Sequence, residues 1–519
     1  MNTLNYIDNI GHAKGLFFCF ILGFGFRLIP EVLSFPHPIG FDTVYYASRI
    51  ESGVVWYYWS NIFSSWFLYA LLVPVYSTVS IDLFLLLKLV APMLYALNVC
   101  GVYYFARQAL GWDVQKSLAT GFVFAFQLAI LRISWDLHMN MLGFALLLVT
   151  LPLLKKLETR RSLASFVLLS VLVVFSHELA SVLMFAAVLW VIAKDFLKGD
   201  TGRMIKIFGA TIPALATFLA RWFVPLLMPI NYVVNNNIIG AFQPVSHPGG
   251  LFFLANYLNL SGTIQYASYL DLFLHVVSLF VVLYLLSMPL VLIGFFRDKI
   301  LDGCTSILLI AAFSSLVSPF FALNFWDRWM FLLVYPFTFY AVNGIWMVLK
   351  SKDGVVFPRL KLMEWMRVSK RLVYAIVCLS ILFGVLLVTV RIGDNGVFSI
   401  PTTGVYLPST MLQNTVPDRD VEGVVEVMNW LNERMEEGSV ILLHQAFLWW
   451  GRLYLDDKIV IIHYLVDVQE GLDVALEQGF NPVYLVWWEE NPGWYQVDVP
   501  NDYMQVFESG RIAAFQYVG

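Results

Sequence analysis

The chain has 519 residues, 59% of them hydrophobic and only 13% charged, with a mean hydropathy of +0.73. Soluble domains run near half apolar and a quarter charged, so a single water-soluble core is excluded and lipid must solvate much of the apolar surface. The net charge of −4 hides an asymmetry: the residues after 391 hold 19 acidic against 5 basic side chains, a net of −14, which leaves +10 on the rest and argues against a nucleic-acid partner.

From the N-terminus, the apolar run 16–28 follows Lys14 and has no small-residue cleavage site after it, which predicts a signal anchor. Cys19, Cys100, Cys304 and Cys378 lie inside apolar runs and are expected to be small buried hydrophobes rather than disulfide or zinc partners. Transmembrane helices need about 20 apolar residues, and cytoplasmic loops collect Lys and Arg. Basic loops fall at 107–116, 155–161, 194–206, 297–299 and 350–371. If all are cytoplasmic, an even number of crossings separates each pair, and this requires that 54–80 does not cross. Trp56-Tyr57-Tyr58-Trp59 and Trp66 are interfacial types, and Pro74 interrupts the most apolar part. This stretch is therefore expected to lie on or dip into the outer face.

The predicted crossings are 16–29, 83–106, 118–133, 137–154, 163–176 and 179–193, then 205–228, 270–296, 306–323, 329–349 and 372–391, about eleven in all. The N-terminus is then cytoplasmic, and 30–82, 229–269 and the tail from 392 lie outside. In the tail, 439–445, 459–465 and 483–488 read as strands, and 420–437 and 468–477 as helices. They predict a small extracytoplasmic α/β domain closed by a hairpin over 504–518. The expected fold is a polytopic α-helical protein of a cell membrane or an endoplasmic-reticulum-like membrane. Its parts are a membrane module over 1–228, an outer loop with further helices over 229–391, and the α/β domain over 392–519.

Ionisable residues near lipid are costly and tend to be functional, and several fall at the outer ends of the predicted helices. In the first outer loop, beyond Glu31 and the Pro36-His37-Pro38 turn, stands Gly40-Phe41-Asp42-Thr43-Val44-Tyr45-Tyr46. Asp42 there suits a general base for a hydroxyl nucleophile and equally suits an N-cap for a helix starting at Thr43. Ser134-Trp135-Asp136-Leu137-His138 places a carboxylate and an imidazole two residues apart. They can share a divalent cation (Mg, Mn or Zn) only if the backbone is extended; the alternative is an N-cap Asp beside an interfacial His. Ser176-His177-Glu178 lacks the second His of a zincin motif and reads either as a buried structural pair or as part of a site. In Asn324-Phe325-Trp326-Asp327-Arg328-Trp329, Arg328 offers a planar fork of donors for a phosphate, or else pairs with Asp327. Arg221, inside an apolar helix, needs a partner for its charge.

A first helix, a long outer loop bearing an acidic residue and membrane-surface helices, then a seven-helix module resembles the GT-C glycosyltransferases. Protein mannosyltransferases and aminoarabinose transferases belong to this group, which uses polyprenyl-phosphate (dolichol-phosphate) sugars. Gly40-Phe41-Asp42 with Tyr45-Tyr46 looks like their first-loop acidic motif, and Asp136 and His138 fall where many members place a second acidic or metal-binding motif. The resemblance is best over roughly the first two hundred residues. The Asp-Glu pair of protein O-mannosyltransferases is absent, and Leu448-Trp449-Trp450-Gly451-Arg452 lacks the Asp and Tyr of the WWDYG signature.

The resemblance implies transfer of a sugar from a polyprenyl-phosphate carrier to a hydroxyl of a protein, glycan or lipid acceptor. Asp42 would be the base and Arg328 and Arg221 the phosphate ligands, supported by Glu31, His37, Tyr45, Tyr46, His177, Glu178 and Asp327. Two rivals stand beside it: a transporter or lipid flippase, and a non-catalytic receptor or assembly subunit acting through its acidic tail. Removing the chain after Arg391 is expected to silence a sensor while leaving a transferase some activity.

Overall fold

The computed structural model describes residues 11–53, 66–223, 238–240, 254–255, 268–317, 322–323, 326–351, 355–356, 367–391, 403, 406–464, 467–489 and 499–519. Sequence expectations for 56–59, for Asn324 and Phe325 and for 392–402 lie outside them.

The described helices of the apolar part are α1 (His12–Leu33), α2 (Thr43–Glu51), α3 (Phe67–Val79), α4 (Leu83–Gln108), α5 (Val114–Ala125), α6 (Leu128–Asp136) and α7 (His138–Thr150). They continue as α8 (Arg160–Ser176), α9 (Glu178–Phe196), α10 (Thr201–Phe223), α11 (Tyr269–Tyr284), α12 (Met288–Gly294), α13 (Lys299–Val317), α14 (Trp326–Leu332), α15 (Val334–Lys350) and α16 (Lys370–Thr389). Among the described residues, 8 helices are long and apolar enough to cross a membrane, or up to 10 if each of two bent pairs counts as one span. The bent pairs are α5 with α6, at 63°, and α11 with α12, at 75°. Several long apolar helices of this kind fit an integral membrane protein.

The predicted crossing left out of that count is the fifth, 163–176, which is α8, whose 17 residues open on Arg160 and Arg161. The helix α3 has 13 residues, about 20 Å at the usual rise and well short of a bilayer core. The first helix runs past the predicted end at Ile29 to Leu33 and carries Pro30 within it.

Charge sorts to two ends of the bundle. At one end Lys155 pairs with Asp298 at 2.6 Å, Lys156 donates to Gln108 and Arg203 donates to the Leu154 carbonyl. Asp195 pairs with both Lys299 and Arg203. The basic loops following α4, α7, α9 and α12 therefore meet at a single end, as the parity argument requires. Asp42, Asp136, His177, Arg221 and Arg328 lie at the other.

Close packing inside the bundle depends on small residues, as it does where lipid removes the hydrophobic drive between helices. At the α12–α15 crossing, a Cβ on Gly294 would overlap the Tyr340 carbonyl and one on Gly344 the Leu290 carbonyl.

The C-terminal unit is a six-stranded sheet of β1 (Ile238–Gly240), β2 (Val440–His444), β3 (Val460–Tyr464), β4 (Val483–Trp488), β5 (Tyr503–Ser509) and β6 (Ile512–Tyr517), in the order β1-β3-β2-β4-β6-β5. β1, β3, β2 and β4 run parallel, and β5–β6 is the antiparallel hairpin. The helices are α17 (Val421–Arg434), α18 (Gln445–Tyr454) and α19 (Val468–Glu477). The strands β2, β3 and β4 are buried hydrophobic runs, as parallel strands covered on both faces should be. Arg511 grips Asp420 through Nε at 2.9 Å and Nη2 at 2.6 Å, and Trp488 Nε1 donates to the same carboxylate. β1 comes from the loop that follows α10, so this sheet is built from two distant parts of the chain.

Candidate functional site

The turn before α2 brings the first motif onto the second. Gly40 has φ +92°, and a Cβ there would overlap the Trp135 carbonyl oxygen. Only glycine allows both the backbone angle and the approach. Phe41 meets the Trp135 ring edge-on at 4.7 Å. Asp42 and Asp136, one or two residues beyond these contacts, are thereby held near each other. Asp42 stands at the N-cap of α2, but its side chain makes no capping hydrogen bond. Burial, then the Asp136 charge, raise its pKa to about 7 against the opposing pull of Arg328 and Arg132. Gly40→Ala should lower thermal stability, measurable by a melting curve.

Asp136 ends α6 rather than capping α7, whose N-cap is Leu137. Its Oδ1 accepts from Arg132 Nη1 at 2.5 Å, one helical turn back. His138 is buried, its ring stacked on Tyr46 at 5.0 Å and 19°. Neither of its nitrogens has a hydrogen-bond partner among the described residues. No group of three or more His, Cys, Asp or Glu side chains is gathered for a metal among the described residues.

Arg328, near the start of α14, acts electrostatically on Asp42, Asp327 and His177. His177 caps α9, its Nδ1 accepting from the Leu179 N–H at 3.1 Å. Arg221 also acts on His177; its guanidinium donates to the Val174 carbonyl and to Glu178 Oε1, the latter at 3.2 Å. Arg221 thus has the partner its burial demands, and Asp42, Arg328, His177 and Arg221 form a chain of groups across the end of the bundle. His37 lies in the turn after α1, its N–H donating to the Ser34 carbonyl. Tyr45 meets Trp449 at 4.6 Å, and Arg49 lies 5.9 Å over the Tyr45 ring.

Glu31 belongs to a buried network with Arg27, Lys88 and Ser134. Arg27 Nη1 donates to Glu31 Oε1 at 2.7 Å, and Lys88 Nζ donates to Glu31 Oε2 at 3.3 Å and to Ser34 Oγ at 2.7 Å. Arg27 also donates to Ser134 Oγ and to the Ser134 carbonyl, both at 3.1 Å. Each nitrogen of the two cations has an acceptor, so this cluster pins α1, α4 and α6 together beneath the Asp136 turn. Glu31→Leu would leave two buried cations facing each other. We expect a loss of about 3–5 kcal/mol of stability, read as a drop in the detergent-solubilised melting temperature. The signal for these residues was present in the sequence: Arg27 and Lys88 interrupt otherwise apolar runs.

The larger omission is the buried segment 406–416, which links the α16 side of the bundle to the C-terminal sheet. The Tyr406 carbonyl accepts from Arg132 Nε. Trp135 Nε1 donates to the carbonyls of Met411 at 3.0 Å and Gln413 at 3.2 Å, and the Gln413 carbonyl also accepts the Gly40 N–H at 2.9 Å. Asn414 Nδ2 reaches the Pro38 carbonyl at 3.0 Å. The strap therefore ties the Gly40 turn to the Trp135-Asp136 turn. No family model matches this sequence, and no curated protein does. What the site can do rests on its own geometry: a carboxyl whose proton affinity burial raises, with the charges of Arg328 and Arg132 acting on it, at one end of an apolar bundle. Two small apolar cavities of about 30 Å³ lie elsewhere, one against Phe126 and Ile376 and one against Phe144 and Tyr335, and Asp42 lines neither.

Proposed function

We propose that the chain is an integral membrane glycosyltransferase of GT-C type, taking a sugar from a polyprenyl-phosphate carrier at the outer face of the membrane. The observation that carries this reading is Asp42: a half-buried carboxyl with raised proton affinity, close to the charges of Arg328 and Arg132. In this scheme Asp42 accepts the proton of an acceptor hydroxyl as its oxygen attacks the anomeric carbon, with inversion. The anomeric C–O bond breaks and the electron pair leaves with the lipid phosphate, whose charge Arg328 and Arg221 offset. The site end of the bundle is outermost and the basic end cytoplasmic, in keeping with the positive-inside rule. Counting α8 as a crossing gives the eleven spans this orientation needs.

In place of the arginines, a divalent cation held by Asp136 and His138 would supply Lewis-acid help to the departing phosphate, but Asp136 pairs with Arg132 and His138 stacks on Tyr46, so the arginines are the better-supported holders of that charge. Activity lost to EDTA and restored by Mg, Mn or Zn would support that element; indifference to EDTA would leave the charge to the arginines. Direct binding in nanodiscs tests the whole reading. Polyprenyl phosphate should bind wild type and bind Arg328→Ala at least tenfold more weakly, since one lost charge-assisted contact is worth about 1.5–3 kcal/mol. Failure of wild type to bind any lipid phosphate would overturn it in favour of a receptor or assembly role.

A further inference from the structure

Two side chains at the Asp42 turn have polar atoms with no hydrogen-bond partner among the described residues. Gln413 is 8% exposed and its Nε2 has no hydrogen-bond partner among the described residues, although its carbonyl serves both Gly40 and Trp135. His138 is 2% exposed, with both ring nitrogens unpartnered among the described residues. It stacks on Tyr46, whose N–H donates to the Asp42 carbonyl one turn back along α2. One residue comes from the strap and the other from α7, and they reach the Asp42 turn independently. A buried donor or acceptor left unpaired is destabilising, so such groups are uncommon in a folded interior unless a ligand or water completes them.

The chemistry of the pair separates it from the phosphate ligands. Arg328 and Arg221 carry fixed positive charge, which suits a phosphate. An amide and an imidazole carry no fixed charge, and between them offer N–H donors and a nitrogen acceptor. That set matches hydroxyl groups, each of which both donates and accepts. A site built to bond hydroxyls discriminates strongly, because a ligand lacking them leaves its buried groups unpaired.

Resting on the transferase reading above, with the arginines and not a cation at His138 holding the phosphate, we propose that Gln413 and His138 are specificity-determining residues that hydrogen-bond the hydroxyls of the sugar being transferred. The strap from the C-terminal unit then contributes a recognition group as well as structural ties. Sugar selectivity is shared between the membrane bundle and the segment that enters it from the C-terminal side.

The test compares two probes, polyprenyl phosphate and polyprenyl-phosphate mannose, on wild type, Gln413→Leu and His138→Phe in nanodiscs. The Phe ring preserves the stack on Tyr46, and both variants remove unpaired polar atoms, so neither should melt below wild type. Wild type is expected to bind the sugar-bearing probe more tightly than the bare phosphate. Each variant should lose about tenfold for the sugar-bearing probe, the equivalent of one hydrogen bond, and nothing for the bare phosphate. Equal losses for both probes, or no loss for either, overturn the assignment while leaving the transferase reading intact. Wild type that binds bare phosphate as tightly as the mannose probe also overturns it, unless another sugar on the same carrier restores the difference. Wild type that binds neither lipid removes the transferase reading, and this assignment with it.

Discussion

Asp42→Asn, purified and reconstituted, is expected to bind the lipid-linked sugar with wild-type affinity and to transfer it at a rate lower by about 10²–10⁴-fold, the usual contribution of a general base. Asparagine keeps the shape and cannot take the proton. The pH dependence gives the same assignment a second handle. A base must be ionised, so with a pKa of about 7 wild-type turnover should climb through neutrality and level off above it. Stability should move the other way. An Asp titrates near ~3.9 in the unfolded chain, so between there and about 7 only the native state holds the proton. The stability that protonation confers is complete below the unfolded value and is lost as pH rises through the folded one. In Asp42→Asn both trends should flatten. Turnover that persists in the variant would sink the assignment of Asp42 as base.

Removal of the chain after Arg391 should abolish transfer, contrary to what the sequence suggested for a transferase with a separate outer domain. The strap supplies the acceptors for Arg132 Nε, Trp135 Nε1 and the Gly40 N–H. Without them three buried donors beside Asp42 lose their partners, at about 1–3 kcal/mol each. Loss of activity on truncation therefore does not separate an enzyme from a sensor, whereas Asp42→Asn does. A truncated chain that failed to fold would leave the strap's part in catalysis to a milder variant. Trp135→Phe keeps a ring against Phe41 and gives up both bonds to the strap. We expect a lower melting temperature and a clear fall in kcat with little change in KM. Full activity in Trp135→Phe, or in the truncated protein, would show that the strap is not part of the site.

Much of this organisation follows from composition and pattern. Apolar runs mark the long helices because a bilayer demands them, and the basic loops mark one end because charge is sorted across a membrane. The strands 440–444, 460–464 and 483–488 were legible as short β-branched and aromatic runs, and α19 at its bounds as an amphipathic period. Boundaries set by packing were less so: α1 continues through Pro30 to Leu33, and α18, which follows β2 directly, was not read from the sequence at all.

What the sequence determined by itself is the set of chemical groups and the end of the molecule to which they belong: Asp42, Asp136, His177, Arg221 and Arg328. Hydropathy and charge are properties of short segments, and they place a residue along the membrane normal. Tertiary structure alone decided which of those groups meet. The Asp42 turn rests on Trp135 because Gly40 lets backbones touch, and that contact brings the Arg132–Asp136 pair of α6 to Asp42. Both are held by carbonyls some 270 residues further along the chain. A backbone carbonyl carries no sequence signature, since every residue has one. Its partner is fixed only when the strap is drawn between the helix bundle and the sheet.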